Sequence, residues 1–350
     1  VTTLAAVSAV LPEHRYPQDE ITEYFAQLCL GPDADHRLVR RLHENCQVGY
    51  RHLVRPLHSY GELASFGAAN DAFIAGAVEL GSAAVQGALQ SAGLVPADVD
   101  AIFFTTVTGV AAPSIDARIA AGVGLRTDVK RVPMFGLGCV AGAAGIARMH
   151  DYLLGHPDEV AVLLSVELCS LTLQRDDRSM ANLVACGLFG DGASAVVATG
   201  AAREHAGPRV IDSRSHLYPN SLRTMGWDVG ASGLKIVLDA GVPDLVRTYL
   251  PDDVRALLAA HELRISDVST WVSHPGGPKV IEAISEALGL KPDALELTWR
   301  SLAAVGNLSS SSVLHVLRDT LLDRPPAPGT AGVLMAMGPG FCSELVLLRW

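Results

Sequence analysis

The stretch Pro133-Met134-Phe135-Gly136-Leu137-Gly138-Cys139-Val140-Ala141-Gly142-Ala143-Ala144-Gly145-Ile146-Ala147 sets two glycines before a cysteine and a run of small residues after it. The glycines let the backbone turn sharply. From Val140 to about Leu154 the pattern predicts a helix of mostly small residues, buried on all sides. A thiol at such a helix N-terminus faces unpaired N–H groups and the positive end of the dipole. Cys139 is therefore expected to titrate below the usual value of about 8.5. The bland alternative is a buried cysteine that serves only as a small hydrophobe.

Outward from this stretch the chain repeats its own order of elements. Thr106-Val107-Thr108-Gly109-Val110-Ala111-Ala112-Pro113 leads into an amphipathic segment ending at Gly124-Leu125. Val272-Ser273-His274-Pro275-Gly276-Gly277-Pro278 leads into another ending at Gly289-Leu290, with 11 residues from proline to glycine in both. Cys139 lies 26 residues after Pro113, and Asn307 lies 29 after Pro278. Each precedes a small-residue helix, an apolar strand (Val160–Val166, Gly332–Met337) and a closing strand (Ala193–Ala198, Leu345–Leu348). Helix alternating with apolar strand is the mark of an α/β layer fold. The pattern implies two copies of one α/β unit, residues 1–210 and 211–350, docked face to face. A pseudo-twofold would bring Cys139, His274 and Asn307 into one cleft. That α/β units resemble one another in any case is the competing explanation. Residues 1–70 read as a leading segment with a polar helix near Glu20–Leu28, and a further helix is expected over Asp71–Gly93.

The bulk numbers bound the function. With 350 residues, 49% hydrophobic and 18% charged, and a mean hydropathy of +0.28, the chain can bury a large core. A net charge of −10 argues against general nucleic-acid binding, which needs a basic face. No apolar run approaches the roughly 18 residues of a membrane span, and the first ten residues lack the pattern of a signal peptide. The six cysteines form no metal-binding spacing, so no metal is expected, and they read as reduced thiols of a cytoplasmic protein.

His274 stands out among 12 histidines because an apolar strand delivers it to a glycine-rich loop. Asn307 precedes a helix, where capping alone would explain it. Thiolate with imidazole makes a nucleophile for a thioester carbonyl. Two neutral donors, imidazole and carboxamide, suit a developing oxyanion that a carboxylate would repel. The set fits acyl transfer onto Cys139 and decarboxylation of a malonyl thioester to an enolate held by His274 and Asn307. The residues alone also leave open a papain-like cysteine hydrolase and a non-catalytic scaffold.

Five motifs in order resemble the type III polyketide synthases, the chalcone/stilbene synthase family of the thiolase superfamily. They are Gly138-Cys139-Val140-Ala141-Gly142, Leu188-Phe189-Gly190-Asp191-Gly192-Ala193, His274-Pro275-Gly276-Gly277, Gly306-Asn307-Leu308-Ser309-Ser310 and Gly338-Pro339-Gly340-Phe341. The resemblance implies a thiolase-like five-layer αβαβα sandwich of two duplicated halves, and a homodimer. It implies an acyl-CoA starter loaded on Cys139, extension by malonyl-CoA and no cofactor beyond these CoA thioesters. It makes Phe189 an aromatic gatekeeper and places Cys169, Thr172, Ser309, Met337, Gly338, Pro339 and Gly340 around the substrate pocket. Arg51 and Arg55 fall where the family holds CoA phosphates.

The chain departs from the plant pattern in losing aromatic bulk. Ile236 stands for a second phenylalanine, Ala112 for a methionine that reaches the neighbouring subunit, and Met337 for another phenylalanine. Large-to-small changes open space, so a larger apolar starter is expected to fit. The segment Leu217–Asp228 is similar to bacterial alkylresorcinol and alkylpyrone synthases. A fatty acyl starter giving a resorcinol or pyrone is thus the expected substrate, with malonyl or aromatic priming as the alternative. A more distant alternative is an initiating ketoacyl-ACP synthase.

Overall fold

Strands apolar on both faces must be covered on both faces, and helices do so here. The computed structural model describes all residues, Val1–Trp350. In chain order its first part holds β1 (Thr2–Val10), β2 (His14–Pro17), α1 (Gln18–Leu30), α2 (Arg37–Asn45), β3 (Tyr50–Leu53), α3 (Phe66–Ala92), β4 (Ala101–Thr106), α4 (Ile115–Val123), β5 (Lys130–Phe135), α5 (Ala141–Gly155), β6 (Val160–Leu168), α6 (Met180–Leu188) and β7 (Asp191–Thr199). The rest holds β8 (Arg209–Leu217), β9 (Met225–Gly230), β10 (Gly233–Leu238), α7 (Val242–Ala259), β11 (Val268–Ser273), α8 (Pro278–Leu288), α9 (Glu296–Val305), α10 (Ser312–Asp323), β12 (Ala331–Gly338) and β13 (Cys342–Arg349).

Nine strands form one sheet in the order β11-β12-β13-β8-β1-β7-β6-β4-β5. The duplication is visible in its polarity. In the first half β4 and β6 are parallel, and β6, β7 and β1 then alternate antiparallel. In the second, β11 and β12 are parallel, and β12, β13 and β8 alternate in the same way. Only β5 lacks a counterpart.

Alternate residues along one strand face different helices, which produces the layers. Val162, Leu164 and Val166 of β6 join α3 and α4 in an outer core, while Ala161 and Leu163 meet α5 and α10 in the central one. In β12, Val333 and Met335 face α7 and α8, while Leu334 and Ala336 face the same central helices. The order helix, sheet, helix, sheet, helix is the five-layer sandwich.

Two expectations are corrected. Residues 2–10 are no leading segment: β1 sits mid-sheet, joining the halves by pairing with both β7 and β8. Its small and hydroxylated residues give no hydrophobic run to read, yet fit a strand packed on both sides. α3 begins at Phe66, not Asp71, because the Ser65 hydroxyl accepts a bond from the Ala68 N–H at 3.1 Å. α3 is long and apolar enough to cross a membrane by length and composition only. Its apolar stripe, including Phe73, Ala77, Leu80 and Ala84, is buried in the outer core.

Candidate active site

The turn before Cys139 is built as the glycines require. Gly138 has φ +58°, and a Cβ there would come within 2.7 Å of Pro339 Cδ. Cys139 lies on a single turn, Gly138–Val140, just ahead of α5. Its thiol is buried and donates to Ser309 Oγ at 3.7 Å. Burial pushes the thiol up to about 12, a rise eased by Ser309 and reinforced by the Glu167 carboxylate. This reverses the expected low value: for a lone sulfur anion, desolvation outweighs the helix end.

His274 follows β11 directly and is fixed by its N–H, which donates to Met335 O at 2.9 Å. Its ring is buried, neither nitrogen has a hydrogen-bond partner, and burial lowers its pKa to about 3. The ring is therefore neutral at ordinary pH. Asn307 enters the site from the end of α9. Its Oδ1 accepts from Ser309 N at 2.8 Å, and its Nδ2 donates to Gly276 O at 3.4 Å. His274, Asn307 and Met337 line one cavity of about 20 Å³. Asn307 thus lines the imidazole's cavity and is linked to the thiol through Ser309, while Cys139 and His274 make no direct hydrogen bond.

Phe189, the residue after α6, lines a second cavity of about 20 Å³ with Cys169, Thr172, Ile236 and Trp227. Here the expectation of opened space fails. Trp227 faces Ile236 across the β9–β10 hairpin and supplies the bulk that Ile236 lacks. What remains holds about one water. Pro339 and Gly340 border a wider groove of about 380 Å³ that Trp227 also lines, and Gly338 ends β12 against the Val140 backbone.

Arg51 is not at the surface. It is buried, with Nε donating to Gln18 Oε1 at 3.0 Å and Nη1 to Phe189 O at 2.9 Å. No CoA phosphate can reach it there. Arg55 is half-buried, and its Nε donates to Ser59 Oγ at 3.1 Å. Ala112 is exposed beside the edge strand β5, where Phe135 is 55% exposed.

Glu167 escaped the sequence reading. This fully buried carboxylate accepts from Thr106 Oγ1, Val107 N, Thr108 Oγ1 and Ser310 Oγ at 2.5–3.2 Å. Burial still raises its pKa against those bonds. An acid within Val160-Ala161-Val162-Leu163-Leu164-Ser165-Val166-Glu167-Leu168 was the available signal.

Comparison with known proteins bears on this arrangement. Residues 1–202 match the N-terminal domain of chalcone and stilbene synthases, and residues 210–350 match their C-terminal domain. The chain is 58% identical to a 1,3,6,8-tetrahydroxynaphthalene synthase of Streptomyces peucetius subsp. caesius, over 100% of this chain and 93% of that one. It is 29% identical to a phloroglucinol synthase of Pseudomonas fluorescens, over 100% and 99%. The crystal structure of the 1,3,6,8-tetrahydroxynaphthalene synthase of Streptomyces coelicolor A3(2), a bacterial type III polyketide synthase, superposes with a TM-score of 0.94 at 32% identity, over 99% of both chains. These matches set aside the hydrolase and scaffold readings. The chain belongs to the chalcone and stilbene synthase family and is an acyltransferase, a type III polyketide synthase working on CoA thioesters.

Proposed function

We propose that this enzyme uses malonyl-CoA as both starter and extender and closes the resulting chain to a polyhydroxylated naphthalene. Trp227 carries this reading. The cavity beside Phe189, about 20 Å³ and lined by the indole, has no room for a fatty acyl tail, so the resorcinol or pyrone expected from the sequence loses its support. The similarity to tetrahydroxynaphthalene synthases points the same way. A ten-carbon naphthalene skeleton is what five malonyl units give when each, the starter included, loses its free carboxylate as CO₂ and the chain closes two rings with loss of CoA thiol and water.

The chemistry follows from the side chains. Cys139 gives its proton to His274, whose ring nitrogens are otherwise unengaged, and its sulfur attacks the starter thioester. A Cys139–acyl bond forms and CoA thiol leaves. A second malonyl-CoA loses CO₂, and the enolate oxygen is held by His274 and the Asn307 amide. The enolate carbon attacks the Cys139-bound acyl carbon and expels the sulfur. Phe189 closes this site towards the cavity of Trp227. Ala112 and the apolar edge of β5 are assigned to a homodimer contact. Light scattering is expected to give twice the chain mass, and Phe135→Glu to shift it towards monomer; an unchanged monomeric mass for the native protein would remove that assignment.

Malonyl-CoA alone should yield a ten-carbon aromatic product by mass spectrometry. A product that appears only when a long-chain acyl-CoA is added would overturn the reading. Trp227→Ala removes most of the indole and should raise turnover of medium-chain acyl-CoA starters by about 10-fold or more, since each buried methylene contributes about 0.8 kcal/mol.

A further inference from the structure

Arg51 is fully buried, far from solvent, and its Nη2 finds no acceptor. An apolar side chain of similar volume would be cheaper to bury, so stability alone gives no reason for a guanidinium here. Its bonds supply one. The last carbonyls of a helix have no partners within it and carry partial negative charge. At the end of α6, Gly187 O accepts from Gln18 Nε2 at 2.6 Å, Leu188 O from Asn307 N at 2.9 Å and Phe189 O from Arg51 Nη1 at 2.9 Å. Arg51 Nε in turn donates to Gln18 Oε1, so the two side chains act as one bracket.

That bracket grips the segment carrying Phe189, which is itself bridged to Asn307. Gly190 N donates to Asn307 O at 2.9 Å, completing a two-bond ladder between residues 188–190 and residue 307. Gly306 makes the approach possible: at φ +75° a Cβ there would lie 2.7 Å from Leu188 O and 3.3 Å from Arg51 Cγ. The arginine stem therefore lies directly against the backbone that presents Asn307.

We propose that Arg51, together with Gln18, is a positioning residue that clamps the end of α6 and so fixes Phe189 and Asn307 relative to each other for decarboxylation and chain extension. This rests on the roles given above to Asn307 and Phe189. Cys139 is held from another direction, by the turn before α5 and by Ser309. Releasing the clamp should therefore disturb the enolate step far more than the thiol's own reactivity, which is linked to Asn307 only through Ser309.

The test compares native enzyme with Arg51→Met, Arg51→Lys, Gln18→Leu and Asn307→Ala, each assayed for CO₂ release from malonyl-CoA, product formation and iodoacetamide alkylation of Cys139. Arg51→Met should lower kcat for CO₂ release by about 10- to 100-fold, the usual effect of displacing a reacting group by about 1 Å. KM should change less than about threefold, and the alkylation rate less than about twofold. Arg51→Lys keeps the charge without the two directed donors and should recover part of the loss. Gln18→Leu should show the same split more weakly and serves if Arg51→Met folds poorly. Unchanged CO₂ release in Arg51→Met and Gln18→Leu would overturn the clamp. So would a parallel fall of CO₂ release, alkylation and melting temperature, which marks a merely structural role. If Asn307→Ala keeps native CO₂ release, the role of Asn307 is wrong and the clamp falls with it. If Asn307→Ala abolishes release while Arg51→Met does not alter it, the clamp alone is wrong.

Discussion

Cys139→Gln is expected to go on releasing CO₂ from malonyl-CoA while making no chain-extended product. The two half-reactions use different atoms. Carbon–carbon bond formation needs an acyl group on sulfur, and a carboxamide cannot accept one, so product should fall by at least about 10⁴-fold. Decarboxylation needs only a place for the enolate charge. The unengaged nitrogens of His274 and the Nδ2 of Asn307, held by nothing stronger than a 3.4 Å bond to Gly276 O, provide it. A glutamine side chain is neutral and sets no opposing charge beside Ser309 and Asn307. Loss of CO₂ release together with product would mean that the enolate is stabilised by something other than these two residues. Cys139→Ala should in parallel lose covalent labelling by acyl-CoA.

His274→Gln should cost nearly as much, because it removes both the acceptor of the thiol proton and a donor to the enolate. Starter loading is expected to fall by at least about 100-fold, and CO₂ release by about 100- to 1,000-fold, the usual effect of removing one oxyanion donor. The same ring affects stability with a defined sign. Burial lowers its pKa from 6.5 to about 3. The unfolded chain therefore takes up a proton first as the solution is acidified. Stability linked to the neutral ring is complete above about pH 6.5 and is lost progressively towards pH 3. In His274→Gln the fall in melting temperature between pH 6.5 and 4 should be shallower than in the native enzyme. An identical fall in both proteins would show that the ring is not held neutral by burial.

The parts of this site that could be read from sequence are those marked by backbone chemistry. Gly138 before Cys139, the loop after His274 and Gly306 before Asn307 are glycine turns at the ends of strands and helices, and the repeat placed them opposite one another. Burial was the part that could not be read. Arg51 looks like a surface cation in Tyr50-Arg51-His52, and only the folded chain shows that β3 points it at the end of α6. Ile236 taken alone suggests an open pocket, because the residue that fills it, Trp227, is its partner across a hairpin and not its neighbour in sequence. Glu167 and Ser310 are 143 residues apart and meet in the central layer, so neither advertises the other. The thiol pKa followed the same logic. The helix end was legible, but the depth of the sulfur below the surface, which reverses the sign, was not.

That burial also defines how Cys139 becomes a nucleophile. Ionising alone, the thiol is pushed up to about 12 and the imidazole down to about 3. Moving the proton from one to the other creates a thiolate–imidazolium pair of zero net charge, whose mutual attraction offsets part of the desolvation penalty of either charge. The most direct measurement is the rate of iodoacetamide alkylation of Cys139 against pH in native enzyme and in His274→Gln. The native rate should level off at or below about pH 8, and the rate in His274→Gln should keep rising about tenfold per pH unit beyond pH 9. Superimposable profiles would show that the sulfur ionises without the imidazole, and that the two do not work as one reaction centre.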